Sequence, residues 1–302
     1  MRLPSFPAVV ATAVLGLLGP VGCASDPDDT GANESDVTAA TCGLDPASPA
    51  SARSVMDAPF RDPPDAERRL GCLRTILTTQ RDNRAPFASL YADITISAHA
   101  AIRAGRFQDG PWVSRYLTTF AELYRVAFVG YADGRPGEIP GSWRIAFDAA
   151  REDRALVVQH VSLGVNAHVD RDLAHTLVTV GLGRDDAERE RRKSDHFKVN
   201  DILKENVDAT LGALADRYAQ GLAEAPPVVM RILSTAYFHT VTTGRLKAWL
   251  DALALEKSGP LRPVVEGQIE LSSRLIGEAI LAPASIDPRL FDRLRALEAS
   301  GF

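Results

Sequence analysis

Two short polar clusters have the residue types and spacing of an acid–base or metal site. The first is Asn166-Ala-His168-Val-Asp170-Arg-Asp172, and the second, about 20 residues later, is Asp195-His196-Phe-Lys-Val-Asn200-Asp201. Histidine exchanges a proton near neutral pH. Imidazole and carboxylate groups together are also ligands of zinc and of iron(II).

Helical spacing predicts which of these side chains lie together. Residues four apart share a helix face, so His168 and Asp172 form one pair and Asn166 and Asp170 a second pair. His196 and Asn200 are again four apart, and Asp201 lies at the edge of the same face.

The helix that carries the first cluster is otherwise apolar, with valine and leucine at most other positions between residues 156 and 178. We expect such a helix to pack inside the domain, where polar groups need partners. An antiparallel hairpin across residues 181–192 would bring the two clusters together. We therefore predict His168, Asp172 and His196 as catalytic residues, and Asn166, Asp170, Asn200 and Asp201 as ligand-binding residues.

Three kinds of site remain open for this cluster. His168, Asp172 and His196, with Asn200 or Asp201, would bind a divalent metal, either zinc with an open water position or iron(II). The second kind is a metal-free acid–base or ligand pocket. The third is a buried hydrogen-bond network that only stabilises the fold.

Helical periodicity dominates the rest of the sequence, so we predict an all-α domain of about seven or eight helices around one core. Starts are predicted near Pro63, Pro86, Gly110 and Ser142. The longest helix is predicted over residues 154–180, followed by one from about Ser194 to Leu222. Trp112, Tyr116, Phe120, Tyr124 and Phe128 step by four residues, which is typical of a core stripe.

The first 22 residues have the pattern of a signal peptide. Arg2 precedes an apolar run over residues 8–18, which is too short to span a bilayer. Leu-Gly-Pro-Val-Gly before Cys23 is similar to a lipobox, which predicts an exported protein attached to a membrane of the cell envelope through a lipid on Cys23. Pro20 departs from that pattern, so ordinary signal peptidase cleavage stays open.

Cys42 and Cys72 remain as an even pair in an oxidising compartment. A bridge between them would contribute about 3 kcal/mol in the chain-entropy model. Two unpaired thiols are the alternative.

Residues 23–55 are predicted to be a disordered acidic tether after the lipidated cysteine, and residues 56–302 the folded domain. Between residues 24 and 50 there are six acidic residues, no basic residue and almost no large apolar side chain. Such a segment buries too little apolar surface to offset the entropy of ordering. The net charge of −5 for the whole chain argues against a nucleic-acid partner.

The same residues carry a family resemblance. Aromatic residues occur in the order Phe87, Tyr91, Trp112, Phe120, Tyr124, Trp143 and Phe147, ahead of the two polar clusters. This order resembles the bacterial family called domain of unknown function 5995, whose hallmark is N-A-H-[IV]-[ND]-x-D-L followed by a D-[HY]-x-x-V-N-D segment. The resemblance covers roughly residues 84 to 255 and implies a helical domain with one pocket at both motifs. It implies no reaction, and Asp170 stands where that family often has Asn.

These observations leave three functions open. The first is an exported enzyme, such as a metal-dependent hydrolase, and the second is a non-catalytic envelope protein that binds a small ligand or partner in the same pocket. In the third case the polar cluster is structural only.

Overall fold

A computed structural model describes residues 42–224, 227–286 and 288–299 of the chain. These residues are mainly helical, and they contain no strand. The predicted all-α fold is confirmed, and it has more helical segments than the seven or eight expected because several of them are short. The predicted signal peptide and Cys23 lie outside the described residues.

The helices are α1 (Ser51–Val55), α2 (Pro63–Thr79), α3 (Ala85–Arg103), α4 (Gly110–Ala132), α5 (Gly141–Arg151), α6 (Val157–Val165), α7 (Leu173–Val180), α8 (Asp186–Tyr218), α9 (Gln220–Ala223), α10 (Pro227–Lys257), α11 (Arg262–Ile286) and α12 (Pro288–Ala299). A π-helical segment, Asn166–Asp172, joins α6 to α7 without a break, and a 3₁₀ turn, Gly259–Leu261, lies between α10 and α11.

Aspartate side chains begin three of the long helices. Asp62, Asp109 and Asp185 each accept a hydrogen bond from the backbone N–H three residues later, at 2.8–3.0 Å. These bonds satisfy N–H groups that have no partner within the helix, and the carboxylates oppose the positive end of the helix dipole. The caps therefore fix where α2, α4 and α8 begin.

One continuous rod, formed by α6, the π segment and α7, occupies the centre of the domain. The rod is contacted by α3, α4, α5, α10 and α11. Its apolar residues lie in two buried clusters: the first includes Val161, Val165 and Ala167, and the second includes Leu173 and Leu177. The polar π segment therefore lies at the junction of the two apolar clusters.

The structure differs from the predicted start of α8. The sequence pattern predicts a start near Ser194, after a charged connection, whereas α8 begins at Asp186 and is the longest of the described helices. Its first turns are held by Glu188, which accepts from Arg184 at 3.0 Å and from Arg192 at 2.7 Å. Pairs four residues apart stabilise a helix surface, so this charged stretch is helical and not a loop.

The predicted tether also ends earlier than expected. Residues 42–55, assigned to the disordered segment, lie on the domain, with α1 contributing the buried Ala52 and Val55. A disulfide joins Cys42 to the buried Cys72 in α2, as predicted. This bridge orders a segment whose own apolar content is low.

Among residues 42–224, 227–286 and 288–299, no helix combines the length and apolar character that crossing a bilayer requires.

The helices α3 and α6 approach each other closely at Gly164, two residues before the π segment. A Cβ atom at position 164 would lie 2.2 Å from Cγ of Phe87 in α3. Real Cβ atoms do not come so close to other carbon atoms, so the absence of a side chain at Gly164 lets the Phe87 ring lie against the rod.

We expect Gly164→Ala to lower the free energy of unfolding by about 1–3 kcal/mol, because the added methyl group overpacks the contact with Phe87. Gly212→Ala in α8 is the matched control. No atom lies within 4 Å of a Cβ at that position, so alanine should stabilise its helix by about 0.5–1 kcal/mol. Urea denaturation of both variants checks the contrast, and equal effects would contradict the proposed packing.

Candidate functional site

The π-helical segment coincides with the first polar cluster of the sequence. Residues Asn166–Asp172 form it, and the N–H of Leu173 donates to the carbonyl of His168, five residues back. π-helical turns are rare and occur frequently at functional sites. The candidate site is therefore built on an irregular part of the most central rod.

His168 and Asp172 form a buried pair within this segment, 2% and 1% exposed. Nδ1 of His168 lies 3.3 Å from Oδ2 of Asp172. An ionised carboxylate only accepts hydrogen bonds, so Nδ1 carries the proton and Nε2 keeps a free lone pair. Nε2 is buried and has no hydrogen-bond partner within the protein.

The Asp172 carboxylate is held by two further donors. Trp143 Nε1 donates to Oδ2 at 2.7 Å, and Arg171 Nη1 donates to Oδ1 at 2.7 Å. Burial acts to raise the pKa of this carboxyl, but the hydrogen bond from His168 and the charge of Arg171 outweigh it, so the pKa lies below its ordinary value. Asp172 is therefore a fixed anion that orients the imidazole.

Aromatic rings surround the His168 side chain. Phe120 stacks on the imidazole with centroids 3.5 Å apart, and Tyr91 meets it edge-on at 4.5 Å. The full cage consists of Phe87, Tyr91, Phe120, Tyr124 and Trp143. Burial in this cage lowers the pKa of His168, although Asp172 opposes the shift, so the ring is neutral at pH 7.

Asn166 and Asp170 belong to the same π-helical segment as His168, but their side chains contact α11 and α10. Asn166 Nδ2 donates to the carbonyl of Ser273 in α11 at 2.8 Å, while its Oδ1 is buried without a partner. The Asp170 carboxylate packs against α10 at Gly244, where a Cβ would lie 3.5 Å from Oδ1. Burial raises the pKa of Asp170 to about 6, and the nearby Lys247 only partly offsets this.

His196 belongs to a different buried network. Its Nε2 donates to the carbonyl of Arg245 at 3.1 Å, and its Nδ1 accepts from the hydroxyl of Tyr116 at 3.0 Å. Burial, with the charge of Arg245, holds the pKa of His196 well below its ordinary value. Both ring nitrogens are occupied, so His196 has no free lone pair for chemistry.

Asn200 and Asp201, the remaining predicted residues, lie in different surroundings, one in a hydrogen-bond network and the other at the surface. Asn200 Oδ1 accepts from Arg245 Nε at 2.7 Å, which places it in the His196 network. Asp201 is exposed and pairs with Lys198 at 2.8 Å.

The structure does not bring His168, Asp172 and His196 together as the predicted metal centre, which stays a prediction. Phe120 stacks on His168 and Tyr116 binds His196, so separate aromatic side chains enclose the two imidazoles. Within the part of the chain that the structure describes, no three His, Cys, Asp or Glu side chains converge as metal ligands would. The hairpin expected across residues 181–192 does not bring the clusters to a common point, because His196 faces α4 and α10.

The side chains that complete each network are not among the residues predicted from the sequence. Trp143 and Arg171 hold Asp172, and Arg245 holds His196 and Asn200 through its guanidinium group. Arg171 lies inside the first polar cluster, next to Asp172, so its position in the sequence could have indicated that it binds this carboxylate. Trp143 and Arg245 are distant in sequence from the residues that they bind, and nothing in their local pattern points to those residues.

Comparison with known proteins gives a family and no further match. The family described as "family of unknown function (DUF5995)" matches residues 64–283, most of the described chain. No curated protein and no solved structure matches. The chain belongs to this family, as the resemblance implied.

We predict that Asp170→Asn stabilises the protein at neutral pH but not in acid. The carboxyl has a pKa of about 6 in the folded protein and about 3.9 when unfolded, so the folded state binds more protons between those values. The free energy of unfolding contributed by this group therefore falls as pH rises from 4 to 6. The neutral variant should gain on the order of 3 kcal/mol at pH 7.5 and almost nothing at pH 4.

Urea denaturation of both proteins across this pH range measures the difference. Asp201→Asn is the control, because that exposed side chain should change stability little at any pH. A constant difference between Asp170→Asn and the wild type from pH 4 to 7.5 would contradict the assignment.

Proposed function

We propose that this member of the DUF5995 family is an enzyme whose general base is His168, oriented by Asp172 without a metal ion. The observation that carries this proposal is the state of the two ring nitrogens. Nδ1 is bonded to a fixed carboxylate, while Nε2 is buried and has no partner. A base held by an orienting carboxylate is the arrangement that general acid–base catalysis requires.

The cage limits the class of substrate. Its walls are aromatic, and the charge of Arg171 is already paired with Asp172 and, at 3.3 Å, with Glu270. Such a site offers no free charge to a ligand, so the substrate is small and uncharged. The ring of Tyr124 lies 6.1 Å from His168, and its hydroxyl is buried without a hydrogen-bond partner.

We infer a hydrolytic reaction. His168 Nε2 takes a proton from water while the water oxygen attacks the electrophilic carbon of the substrate. The protonated imidazole then returns that proton to the leaving group as its bond to carbon breaks. Phe120 is partly exposed and stacks on His168, so movement of its side chain is the route by which substrate reaches the imidazole.

Hydrolysis of 4-nitrophenyl acetate, a small uncharged ester, tests this proposal. His168→Gln should lower the rate by about 10²- to 10⁴-fold, because the base is lost. His239→Gln is the matched control, since His239 is exposed on α10 and should leave the rate unchanged. The proposal fails if the wild-type rate does not exceed the buffer rate, or if both variants lose activity equally.

The pH profile of the same reaction tests the role of Asp172. The wild-type rate should rise with pH and level off above the lowered pKa of His168, because only the neutral imidazole accepts a proton. Asp172 opposes that lowering, so Asp172→Asn should move the rise to still lower pH as well as reduce the rate. An unchanged profile would show that Asp172 does not position the base.

A non-catalytic binding protein is the second candidate. The enclosure of His168 and Asp172, each 2% exposed or less, favours it, because a substrate must displace aromatic side chains to enter. In that case Nε2 accepts a hydrogen bond from a small ligand without turnover. Native mass spectrometry of the purified protein would detect a retained ligand that His168→Gln loses.

We also propose that the protein acts in the cell envelope, attached through a lipid on Cys23. The apolar run and the lipobox-like residues before Cys23 support this, and the Cys42–Cys72 disulfide fits an oxidising compartment. Cys23→Ser should move the protein from the membrane fraction to the soluble fraction, with Cys42→Ser as the control that stays with membranes. Equal fractionation of Cys23→Ser and the wild type would contradict the anchor.

A further inference from the structure

A cavity of about 90 Å³ lies between α6, α8 and α10, apart from the cage around His168. Its wall is almost entirely apolar. Residues of all three helices line it, including Val158, Val161, Leu211, Leu214, Met230 and Leu233. A space of this size is several times what one water molecule needs.

Tyr237 of α10 lines this cavity and carries an unsatisfied hydroxyl, which a rotation of its side chain would turn toward the cavity. Its hydroxyl is buried and has no hydrogen-bond partner within the protein. Burial raises the pKa of Tyr237, so the hydroxyl keeps its proton and remains a donor. By contrast, the hydroxyl of Ser162 on the same wall is satisfied, because it donates to the carbonyl of Val158 at 2.7 Å.

Tyr237 also separates this cavity from a smaller one of about 20 Å³ between α3, α8 and α10. Leu90, Ile94 and Val199 are among the residues that line the smaller space. Rotation of one aromatic side chain would therefore join two apolar spaces within the domain.

The wall of this cavity has few groups that can form hydrogen bonds with water. A buried water molecule normally makes two to four hydrogen bonds to polar groups, and the only polar side chains among the residues that line this cavity are those of Ser162, Tyr237 and Thr240. A closed apolar cavity of about 150 Å³ holds benzene. This space of about 90 Å³ is partly open to solvent, so an occupant of about four or five heavy atoms fits with one end at the opening.

We propose that this cavity binds a small apolar molecule that carries one hydrogen-bond acceptor, such as a ketone, ester or ether oxygen, and that the Tyr237 hydroxyl donates to that atom. The apolar wall provides affinity through burial, and the hydroxyl selects ligands with an acceptor over hydrocarbons of the same shape. This binding site does not depend on the reaction at His168.

Two small molecules of the same shape test whether the cavity prefers a ligand with a hydrogen-bond acceptor. 2-Butanone carries a carbonyl oxygen where 2-methyl-1-butene carries a methylene group. Titration of the purified full-length chain, labelled with ¹³C at the methionine methyl groups, would follow binding through the Met230 signal. Tyr237→Phe should weaken binding of 2-butanone about fivefold and leave 2-methyl-1-butene unchanged, because only the hydrogen bond is lost.

Filling the cavity tests its location. Ala236 lines the cavity, so Ala236→Leu should abolish binding of both probes, whereas the neighbouring Thr235 is exposed and Thr235→Leu should retain it. Thermal melts show that each variant is folded. The proposal is overturned if neither probe shifts the Met230 signal, if Tyr237→Phe binds both probes as the wild type does, or if Ala236→Leu still binds them.

Discussion

A carboxylate in the middle of an apolar helical domain is the constraint on which the rest of this structure depends. Asp172 is 1% exposed, and removal of a charge from water costs several kcal/mol unless donors replace the lost hydration. Here the donors come from His168, Trp143 and Arg171. Because Trp143 belongs to α5 and the others to the central rod, the charge fixes how these elements meet. The arrangement that satisfies Asp172 also leaves His168 with one free nitrogen.

The two polar clusters resolve into two separate networks with different consequences. Around His196 each ring nitrogen has a partner, and Arg245 binds Asn200 and the His196 carbonyl as well. A fully satisfied buried network stabilises one packing of the helices. Around His168 the imidazole keeps one nitrogen without a partner. An incompletely satisfied buried group is more informative about function, because stability alone does not explain it.

The sequence was sufficient for the fold class, most helix starts, the disulfide and the pairing of His168 with Asp172. These depend on short-range patterns: apolar spacing, capping residues and side chains four residues apart. It was not sufficient for the position of His196, because which helix faces which depends on the packing of the whole domain. The start of α8 was missed for a related reason, since the ion pairs of Glu188 stabilise a stretch whose composition is typical of a loop.

The π segment changes the directions in which side chains leave the central helix. Its wider turns hold more residues than α-helical turns do, and each residue of an α-helix advances the side-chain direction by about 100°. Side chains of α7 therefore point in directions that an uninterrupted α-helix would not give them, and Leu173 and Leu177 face a different apolar cluster from Val161 and Val165. One rod thus packs into two hydrophobic clusters, and the polar motif lies on the π-helical stretch between them.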